Sequence, residues 1–548
     1  MRYRTMDKAA PAPVRALPAP LARLAVAALL ALLTVAPPGV RAQAQDAATA
    51  PGSAAGSPAV AAAMDPDGSP SGPQDERKVY VERLDVAPSA LLSEAEIAAI
   101  RARYEGAAWT VEELLGIPAA FDALYAAKGY LATAYLPEQD ISRGVVRVEL
   151  LEARIGRIYL EGLRWTREEY VLERLGARPG DLVNLGRLDE AIKYFNRTNT
   201  VKLRADLAAG EDFGTTDVTV YVQDTEREDW HVVVQPPVGR GQQWHATIGW
   251  QNNSLSGMRD PLSLVASVGG AHLHWSVSYQ RPYGIQGRRV GLTQHVGTDD
   301  IVEPDGDTTP IHQQVTLTAA SLSQPLAVTE TTTAVGSLEI ASKHVTTYVS
   351  GAEQIDKRIY SVTASHGTET HGEGAAWALY QSLRGGSYHV SVLSEEPVVH
   401  FFSKYTLSAQ GAWYHPAGGS RWVARATLQY ALSHDMPTDE MFHLSGAGTV
   451  RGVRSGAGAG EHGYAVEVEY RRMPEEHLEL YAFADHAAGF MHGPGSGAFV
   501  PVSFTSVGVG VDWRPVPSTV VSLAAGFPLG PIDERLREPF TVRVQVNF

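Results

Sequence analysis

The 548-residue chain contains no cysteine. Disulfides, thiolate metal sites and a cysteine nucleophile are therefore excluded together. Positive charge is also scarce, since 46 Lys and Arg stand against 61 Asp and Glu. An acidic chain is a poor ligand for phosphate, so we expect no nucleic-acid partner. After residue 36 the sequence also lacks any apolar run close to the ~20 residues that a membrane-spanning helix requires.

The N-terminus concentrates the positive charge that the rest of the chain lacks. An apolar run, LAVAALLALLTVA at residues 24–36, is followed by the small-residue site Ala42-Gln43-Ala44. Five basic residues precede the run, namely Arg2, Arg4, Lys8, Arg15 and Arg23. This arrangement predicts a secretory signal peptide over residues 1–44, because the run is too short for a membrane anchor. Its removal takes six Lys or Arg and one Asp from a net charge of −15, which leaves about −20.

Residues 45–76 consist largely of Ala, Pro, Gly, Ser and Asp and contain no aromatic side chain. Such a segment cannot bury enough apolar surface to fold. We predict a disordered linker that offers at most a weak plug segment.

Two units of about 75 residues follow, at residues 77–152 and 153–226. Each is predicted to have the element order β-α-α-β-β, so the fold class of this region is α+β. Capping boxes predict where the helices begin. They are formed by the pairs Ser93 and Glu96, Thr110 and Glu113, and Thr166 and Glu169.

Residues 229–548 show strict alternation of apolar and polar residues, broken by Gly, Pro, Asn and Asp turns. In RWVARATLQYAL, for example, Trp422 and Tyr430 bound an apolar face, while Arg421 and Arg425 lie on the other face. A soluble β-sandwich also alternates, but aromatic ends on the apolar face and repeated charges on the polar face favour a transmembrane antiparallel β-barrel. The length fits sixteen strands of ~10 residues, although fourteen or eighteen fit nearly as well. Closure is expected because an open strand edge in lipid leaves backbone groups unpaired.

A glycine-rich segment, GAGTVRGVRSGAGAG at residues 446–460, lies between two of these predicted strands. Gly458, Gly460 and Gly463 spell a dinucleotide-binding pattern, but a strand follows them where that motif requires a helix. We predict no cofactor and no metal. The neighbouring strand LELYAFADHAAGF, residues 478–490, places Glu479, Phe483 and Asp485 on one face, which is the luminal face. The glycines around Arg451 allow the backbone to turn sharply and pass close to the wall, so an Arg451 that folds inward would meet Asp485; the alternative is a solvated extracellular loop.

In the first unit, YAAKGYLATAYLPEQDISRGVVRVELLEARIGRI resembles the first POTRA domain of the two-partner secretion transporters (TpsB type), the ShlB/FhaC/HecB haemolysin secretion and activation family. The residues that carry this resemblance are Gly129, Tyr130, Pro137, Gln139, Asp140, Ile141 and Gly144. The second unit matches the family more loosely, through Leu188 and Asn196. The resemblance covers nearly the whole mature chain and implies two periplasmic POTRA domains followed by the barrel.

The barrel region shares two further motifs with this family. Val450, Arg451, Gly452 and Val453 resemble the Val-Arg-Gly-aromatic tip of a hairpin that folds into the lumen, here over residues 440–463. Phe483 and Asp485 resemble its partner motif on the barrel wall. Two positions depart from the family pattern, because Val453 replaces an aromatic residue and Ala487 replaces a glycine.

The resemblance implies an outer-membrane pore that recognises an unfolded exoprotein through its periplasmic POTRA domains and translocates it to the cell surface. The expected partners are a large secreted exoprotein, the outer-membrane lipid and, during biogenesis, the barrel-assembly machinery; the protein is expected to be a monomer. One alternative keeps the fold and inserts other β-barrels into the membrane. Alternatives of another class are a passive porin and an outer-membrane enzyme. The enzyme is disfavoured because Asp485 and His486 are adjacent on one strand and must face opposite sides.

The C-terminus carries an alternating apolar pattern that ends in an aromatic residue. It resembles the signal by which barrel-assembly machinery recognises its clients. The residues of this predicted signal are Phe540, Val542, Val544, Val546 and Phe548.

Overall fold

The computed structural model describes residues 78–235, 244–270, 272–301, 311–392, 398–434, 436–446, 448–492 and 499–547. The predicted signal peptide, the predicted linker and Phe548 lie outside the described residues. Within the described part of the chain, no helix combines the length and the apolar character needed to cross a membrane.

The first POTRA domain packs helices on a three-stranded sheet of order β2-β5-β4, in which β2 runs parallel to β5. Both predicted capping boxes are confirmed at Ser93 and Thr110. Helix side chains Ile117, Phe121 and Tyr125 are fully buried against the sheet. Its elements are β1 (Lys78–Val81), β2 (Arg83–Val86), α1 (Glu94–Tyr104), β3 (Ala107–Thr110), α2 (Val111–Leu114), α3 (Gly116–Ala127), β4 (Ala132–Tyr135) and β5 (Val145–Glu152).

The second unit, which the resemblance implies is the second POTRA domain, repeats the arrangement with a sheet of order β6-β8-β7, in which β6 runs parallel to β8. Its elements are β6 (Arg154–Glu161), α4 (Glu168–Leu175), α5 (Leu185–Thr198), β7 (Lys202–Ala209) and β8 (Thr215–Gln223). The prediction that Thr166 caps a helix is wrong. The N-cap of α4 is Arg167, and the Thr166 hydroxyl instead donates to Asp224, 3.0 Å away.

Sixteen of the described strands close into one antiparallel barrel, which confirms the predicted fold and strand number. These strands are β9 (Glu228–Gln235), β10 (His245–Asn252), β11 (Leu262–Gly269), β12 (His272–Tyr283), β13 (Arg288–Ile301), β14 (Ile311–Val328), β15 (Thr332–Val349), β16 (Ala352–His371), β17 (Ala375–Val392), β18 (Val398–Tyr414), β19 (Ser420–Ala431), β23 (His462–Glu475), β24 (Leu478–His492), β25 (Phe499–Val516), β26 (Thr519–Pro528) and β28 (Phe540–Asn547). The expected length of ~10 residues is wrong for much of the barrel, because the strands from β14 to β18 have 17 to 20 residues. These strands are longer than the apolar thickness of the membrane, which was the basis of the expected length.

The seam between the first and last strands is short. Strands β9 and β28 pair over four positions, from Val234 with Val544 to His231 with Asn547, whereas β9 and β10 pair over eight. The outer surface is apolar as predicted, and Trp422 is 53% exposed. Its ring lies 5.0 Å from that of Tyr470 on the next strand.

The segment between β19 and β23 forms the hairpin that the sequence places in the lumen. It contains a 3-10 turn, Thr438–Glu440, and three short strands. These are β20 (Phe442–His443), β21 (Gly452–Val453) and β22 (Ala459–Gly460). Strand β20 pairs with β22, while β21 pairs with β27 (Arg537–Glu538) in the connection between β26 and β28. The hairpin tip is thereby attached to the wall beside the seam.

Candidate functional site

Arg451 at the hairpin tip lies against three carboxylates of the barrel wall. Its Nε and Nη2 donate to the two oxygens of Asp485, at 2.9 and 2.7 Å, and its backbone N–H donates to the same carboxylate at 3.0 Å. Nη1 lies 2.5 Å from Glu469 and Nη2 lies 3.0 Å from Glu467. The Arg451 side chain is 11% exposed and that of Asp485 is fully buried. Bidentate, charge-assisted hydrogen bonds of this kind are the strongest that side chains make.

The Arg451 contacts extend into a larger ion-pair network on the luminal faces of β19, β23, β24 and β25. Arg471 bridges Glu469 at 2.6 Å, Glu479 at 3.1 Å and Asp512 at 2.9 Å. Arg425 contacts Glu467 at 2.6 Å, and Arg421 contacts Glu479 at 2.6 Å. Sequence alternation placed Glu479 and Asp485 in the lumen but did not reveal that arginines connect the luminal carboxylates, because cross-strand register is not readable from one strand.

Two aromatic rings support the two central arginines. The Arg451 guanidinium carbon lies 3.6 Å from the Phe483 ring centroid, and that of Arg471 lies 4.4 Å from the Tyr481 ring centroid. Each ring covers a glycine directly opposite on β25, since Phe483 pairs with Gly508 and Tyr481 pairs with Gly510. Rings that lie flat on the wall leave room for a cation above them.

Gly452 brings the hairpin backbone into direct contact with the barrel wall. Its φ of 84° disfavours other residues, and a Cβ there would lie 2.6 Å from the Gly526 carbonyl oxygen. Val453, which replaces the aromatic residue of the family motif, is 2% exposed. It packs with Leu444, Val450 and Ala487 in a small luminal core. The two departures from the family pattern therefore meet in one apolar cluster, in which both side chains are buried.

The space left in the lumen beside the hairpin is a cavity of about 740 Å³. Arg451, Arg454 and Arg471 line it on one side, and Arg543 of the last strand lines it on the other. His486 lies on the opposite face of β24 from Asp485, where it contacts Tyr464 at 3.3 Å and Thr505 at 2.8 Å. The two residues therefore do not form an acid/base pair. Among the described residues, no group of three or more His, Asp and Glu side chains is arranged to hold a metal ion.

The residues that carry the POTRA resemblance form a loop in the first POTRA domain. The Gln139 side-chain amide pairs with the Arg147 backbone through two hydrogen bonds of 2.6 and 2.8 Å, which continues the sheet past β4. The Asp140 carboxylate accepts the Ser142 N–H, a hydrogen bond that lowers the pKa of Asp140. At Gly144, φ is 74° and a Cβ would lie 2.9 Å from the Tyr80 carbonyl oxygen. Tyr130, beside Gly129, bridges to the second POTRA domain. Pro137 precedes the loop.

The second POTRA domain contacts the periplasmic turns of the barrel. The sequence did not predict this contact. Arg259, between β10 and β11, is 3% exposed and lies 3.4 Å from the fully buried Asp224. It also donates to Thr200 and Thr225 at 2.6 and 2.7 Å. Burial alone would raise the pKa of Asp224, but hydrogen bonds from the Trp165 and Arg164 backbone outweigh it and hold the pKa below its usual value. Arg259 has a φ of 55°, a strained value that such a packed site can maintain.

The last strand lies between β26 and β9, with Phe540 52% exposed on its outer face. Arg543 donates to Gln545 at 3.0 Å on the luminal face. Val542, Val544 and Val546 alternate with these polar residues in β28. Whether this pattern acts as an assembly signal stays a prediction, and Phe548 lies outside the described residues.

The fold and the site together define an outer-membrane β-barrel with a POTRA domain and a second α+β unit of the same arrangement on the periplasmic side, and with a hairpin docked in its lumen. The profile of the POTRA domain, ShlB-type, matches residues 79–153. The chain is 26% identical over 203 residues to the outer membrane transporter CdiB of Escherichia coli O6:K15:H31 (strain 536 / UPEC), an alignment that covers 36% of this chain and 34% of that protein. It is 24% identical over 173 residues to the heme/hemopexin transporter protein HuxB of Haemophilus influenzae (strain 86-028NP), covering 31% of each.

The fold of this chain is also similar to solved structures. The fold matches CdiB from Escherichia coli with a TM-score of 0.59 and 17% identity, over 88% of this chain and 93% of that one. It also matches BamA from Haemophilus ducreyi lacking POTRA domains 1–3, with a TM-score of 0.53 and 15% identity, over 86% of this chain and all of that one. The predicted resemblance to the ShlB-type transporters is thus confirmed. In sequence, the matched region spans about a third of the length of the curated relatives.

Proposed function

We propose that this protein is the outer-membrane pore of a two-partner secretion system. The POTRA domains bind an unfolded exoprotein in the periplasm, and the barrel passes it to the cell surface. The observation that carries this proposal is the docking of Arg451 on Asp485, Glu467 and Glu469, because it places a hairpin held by side-chain contacts, rather than a barrel strand, in the lumen of a POTRA-bearing barrel. Folding of the exoprotein outside the cell opposes back-sliding and so supplies a driving force.

Strand β7 supports the periplasmic half of the proposal. It is an edge strand that pairs only with β8 among the described residues. The outward backbone groups of Leu203 are taken by the Asn196 side chain, at 2.6 and 2.9 Å. Antiparallel pairing alternates, so Ala205, Leu207 and Ala209 present the next outward backbone groups. An extended exoprotein segment binds there by strand addition, since an unpaired edge is a template for another strand.

The experiment compares the proteins at the surface and in the medium of cells that have or lack this protein. A large exoprotein should disappear from both fractions in the deletion and return on complementation. The gene next to the one for this protein is expected to encode that exoprotein, with long β-helical repeats. Unchanged surface and medium fractions would contradict the proposal.

The fold match to BamA favours barrel assembly as a second candidate function. Exchanging residues 77–226 for the POTRA domains of an assembly factor separates the two. Secretion predicts loss of one exoprotein with a normal outer-membrane profile, whereas assembly predicts loss of several membrane barrels. A passive porin predicts conductance that persists unchanged after deletion of the same residues, with no secreted protein lost.

A further inference from the structure

A second charged patch lies in the lumen, away from the Arg451 network. Four cations project inward from four consecutive strands, one on each of β15, β16, β17 and β18. They are Lys343, Lys357, Arg384 and Lys404. Arg384 and Lys404 are directly opposite each other in the register. Like charges in that position repel, so an anion placed against them is stabilising.

The hairpin supplies that anion from its first arm. Glu440 lies 3.1 Å from Arg384 and 2.9 Å from Lys404, and its side chain is 7% exposed. Asp439 lies 3.3 Å from Lys357 and 3.6 Å from Lys343. The two carboxylates of one 3-10 turn thus contact all four cations, two cations each.

Backbone contacts fix the same turn. Lys404 and the Gln429 side chain both donate to the Glu440 carbonyl oxygen, at 2.9 and 2.8 Å. Lys357 donates to the Thr438 hydroxyl at 3.1 Å. Next to the turn, Met436 is 6% exposed and packs on luminal side chains that include Phe402. The wall therefore binds a short peptide segment through its carboxylates, one carbonyl and one apolar side chain.

This wall stands apart from the Arg451 contacts, which are on β23 and β24. The hairpin is attached at both places, so its withdrawal from the lumen requires both attachments to open. Withdrawal of the arm exposes four cations beside the vacated path, in a region where their charges are poorly screened.

We propose that the luminal wall of β15–β18 is a binding surface for carboxylate-bearing segments of the polypeptide in transit, and that Asp439 and Glu440 occupy it as an internal competitor in the resting protein. This inference rests on the proposed secretion function. It names the chemistry that the pore recognises, namely an extended peptide with neighbouring Asp or Glu side chains.

The test measures block of single-channel current in planar bilayers by a short oligoglutamate peptide added on the POTRA side, with oligolysine of equal length as the comparison. Full-length protein carrying Arg451→Ala frees the hairpin tip, and the further change Asp439→Asn with Glu440→Gln removes the competitor. Oligoglutamate should then block at about tenfold lower concentration, because the wall is no longer occupied. Oligolysine block should not change in that way.

Removing the wall charges in the same background should abolish the gain. Arg384→Gln with Lys404→Gln, or Lys343→Gln with Lys357→Gln, should return oligoglutamate block to its original level or weaker. Arg358→Gln is the matched control, since Arg358 follows Lys357 on β16 and its side chain is 57% exposed. Heat-modifiable migration in gels shows which variants retain a folded barrel, and the two separate wall pairs keep the test decisive if one pair fails to fold.

Equal block by oligoglutamate in variants with and without the wall cations would overturn the inference, as would equal block by both peptides. Either result leaves the secretion proposal standing if an exoprotein is still lost in the deletion strain. If no exoprotein is lost but oligoglutamate block follows the wall charges, the secretion function fails and the anion-binding wall remains.

Discussion

Replacing Arg451 by alanine is the most direct perturbation of the docked hairpin. The substitution removes a guanidinium that contacts Asp485, Glu467 and Glu469, and it leaves those carboxylates with fewer cations. Asp485 is fully buried and Glu469 is 1% exposed, so neither regains water without movement. The hairpin tip keeps its apolar contacts through Val450 and Val453.

The free-energy cost of the substitution depends on how deeply the ion pair is buried. Removing one partner of a buried ion pair costs about 3 to 5 kcal/mol, compared with about 0 to 1 kcal/mol for an exposed pair. Arg471 and Arg425 remain near Glu469 and Glu467 and soften the loss, so we take the lower end, about 3 kcal/mol. At about 1.4 kcal/mol per factor of ten, undocked hairpins become roughly a hundredfold more frequent.

Two assays report the change. In planar bilayers, the open state should be visited about a hundred times more often than in the unmodified protein. In cells, secretion of the exoprotein should fall sharply, because a hairpin that no longer docks in the lumen does not return the pore to its resting state before the next exoprotein chain arrives. In both assays, Arg451→Lys should give values between those of the unmodified protein and Arg451→Ala, since lysine keeps the charge but loses the bidentate contact with Asp485.

Arg454→Ala is the matched control, because Arg454 lies three residues further along the same hairpin and takes no part in the ion pairs that join Arg451 to Asp485, Glu467 and Glu469. It should behave like the unmodified protein in both assays. If Arg451→Ala leaves open-state frequency and secretion unchanged while the barrel is folded, the docked hairpin does not control the pore and the reasoning is refuted.

Three further predictions concern other parts of the molecule. Phe121→Ala should lower the free energy of unfolding of the first POTRA domain by about 3 to 5 kcal/mol, measured by urea denaturation, because Phe121 is fully buried; barrel conductance should not change. Gly508→Val should displace the Phe483 ring that covers it and lower the temperature of heat-modifiable unfolding, in line with overpacking costs of about 1 to 3 kcal/mol. The hydrogen bond from the Ser93 backbone N–H lowers the pKa of Glu96 from 4.5 to about 2. The ionised Glu96 carboxylate therefore stabilises the first POTRA domain above pH 4.5, and this stabilisation is lost as the pH falls towards 2. In Glu96→Gln, the melting temperature measured by circular dichroism should depend less on pH over that interval.

Local sequence signals predicted most of the fold. Period-two alternation identified the barrel because lipid on one side and water on the other constrain every strand residue, as at Trp422 and Arg421. Capping boxes predicted α1 and α2 because their hydrogen bonds are formed within four residues. The Thr166 prediction was wrong for the complementary reason, since Asp224, some sixty residues away in sequence, competes for the same hydroxyl.

The candidate site could be predicted only in part. Arg451 and Asp485 were expected to meet because the family resemblance implies a hairpin that folds inward, the glycines around Arg451 permit that fold, and strand alternation points Asp485 into the lumen. The contacts of the arginines that link the network depend on the register between strands. The contact of Glu440 with the wall depends on the position of the hairpin arm in the lumen. Neither is encoded in a local pattern, so both required the three-dimensional structure.

The long strands β14–β18 give the barrel an uneven rim. At ~3.3 Å per residue and a tilt of ~40°, strands of 17 to 20 residues rise about 45 to 50 Å, well beyond an apolar band of about 25 Å. Their inner end is level with the second POTRA domain, since Glu330 in the β14–β15 turn lies 3.1 Å from Lys193, so the excess stands outside the cell. The high side faces the short seam across the opening. An antibody or phage that approaches the bacterium therefore meets the outer ends of β14–β18 well above the lipid surface.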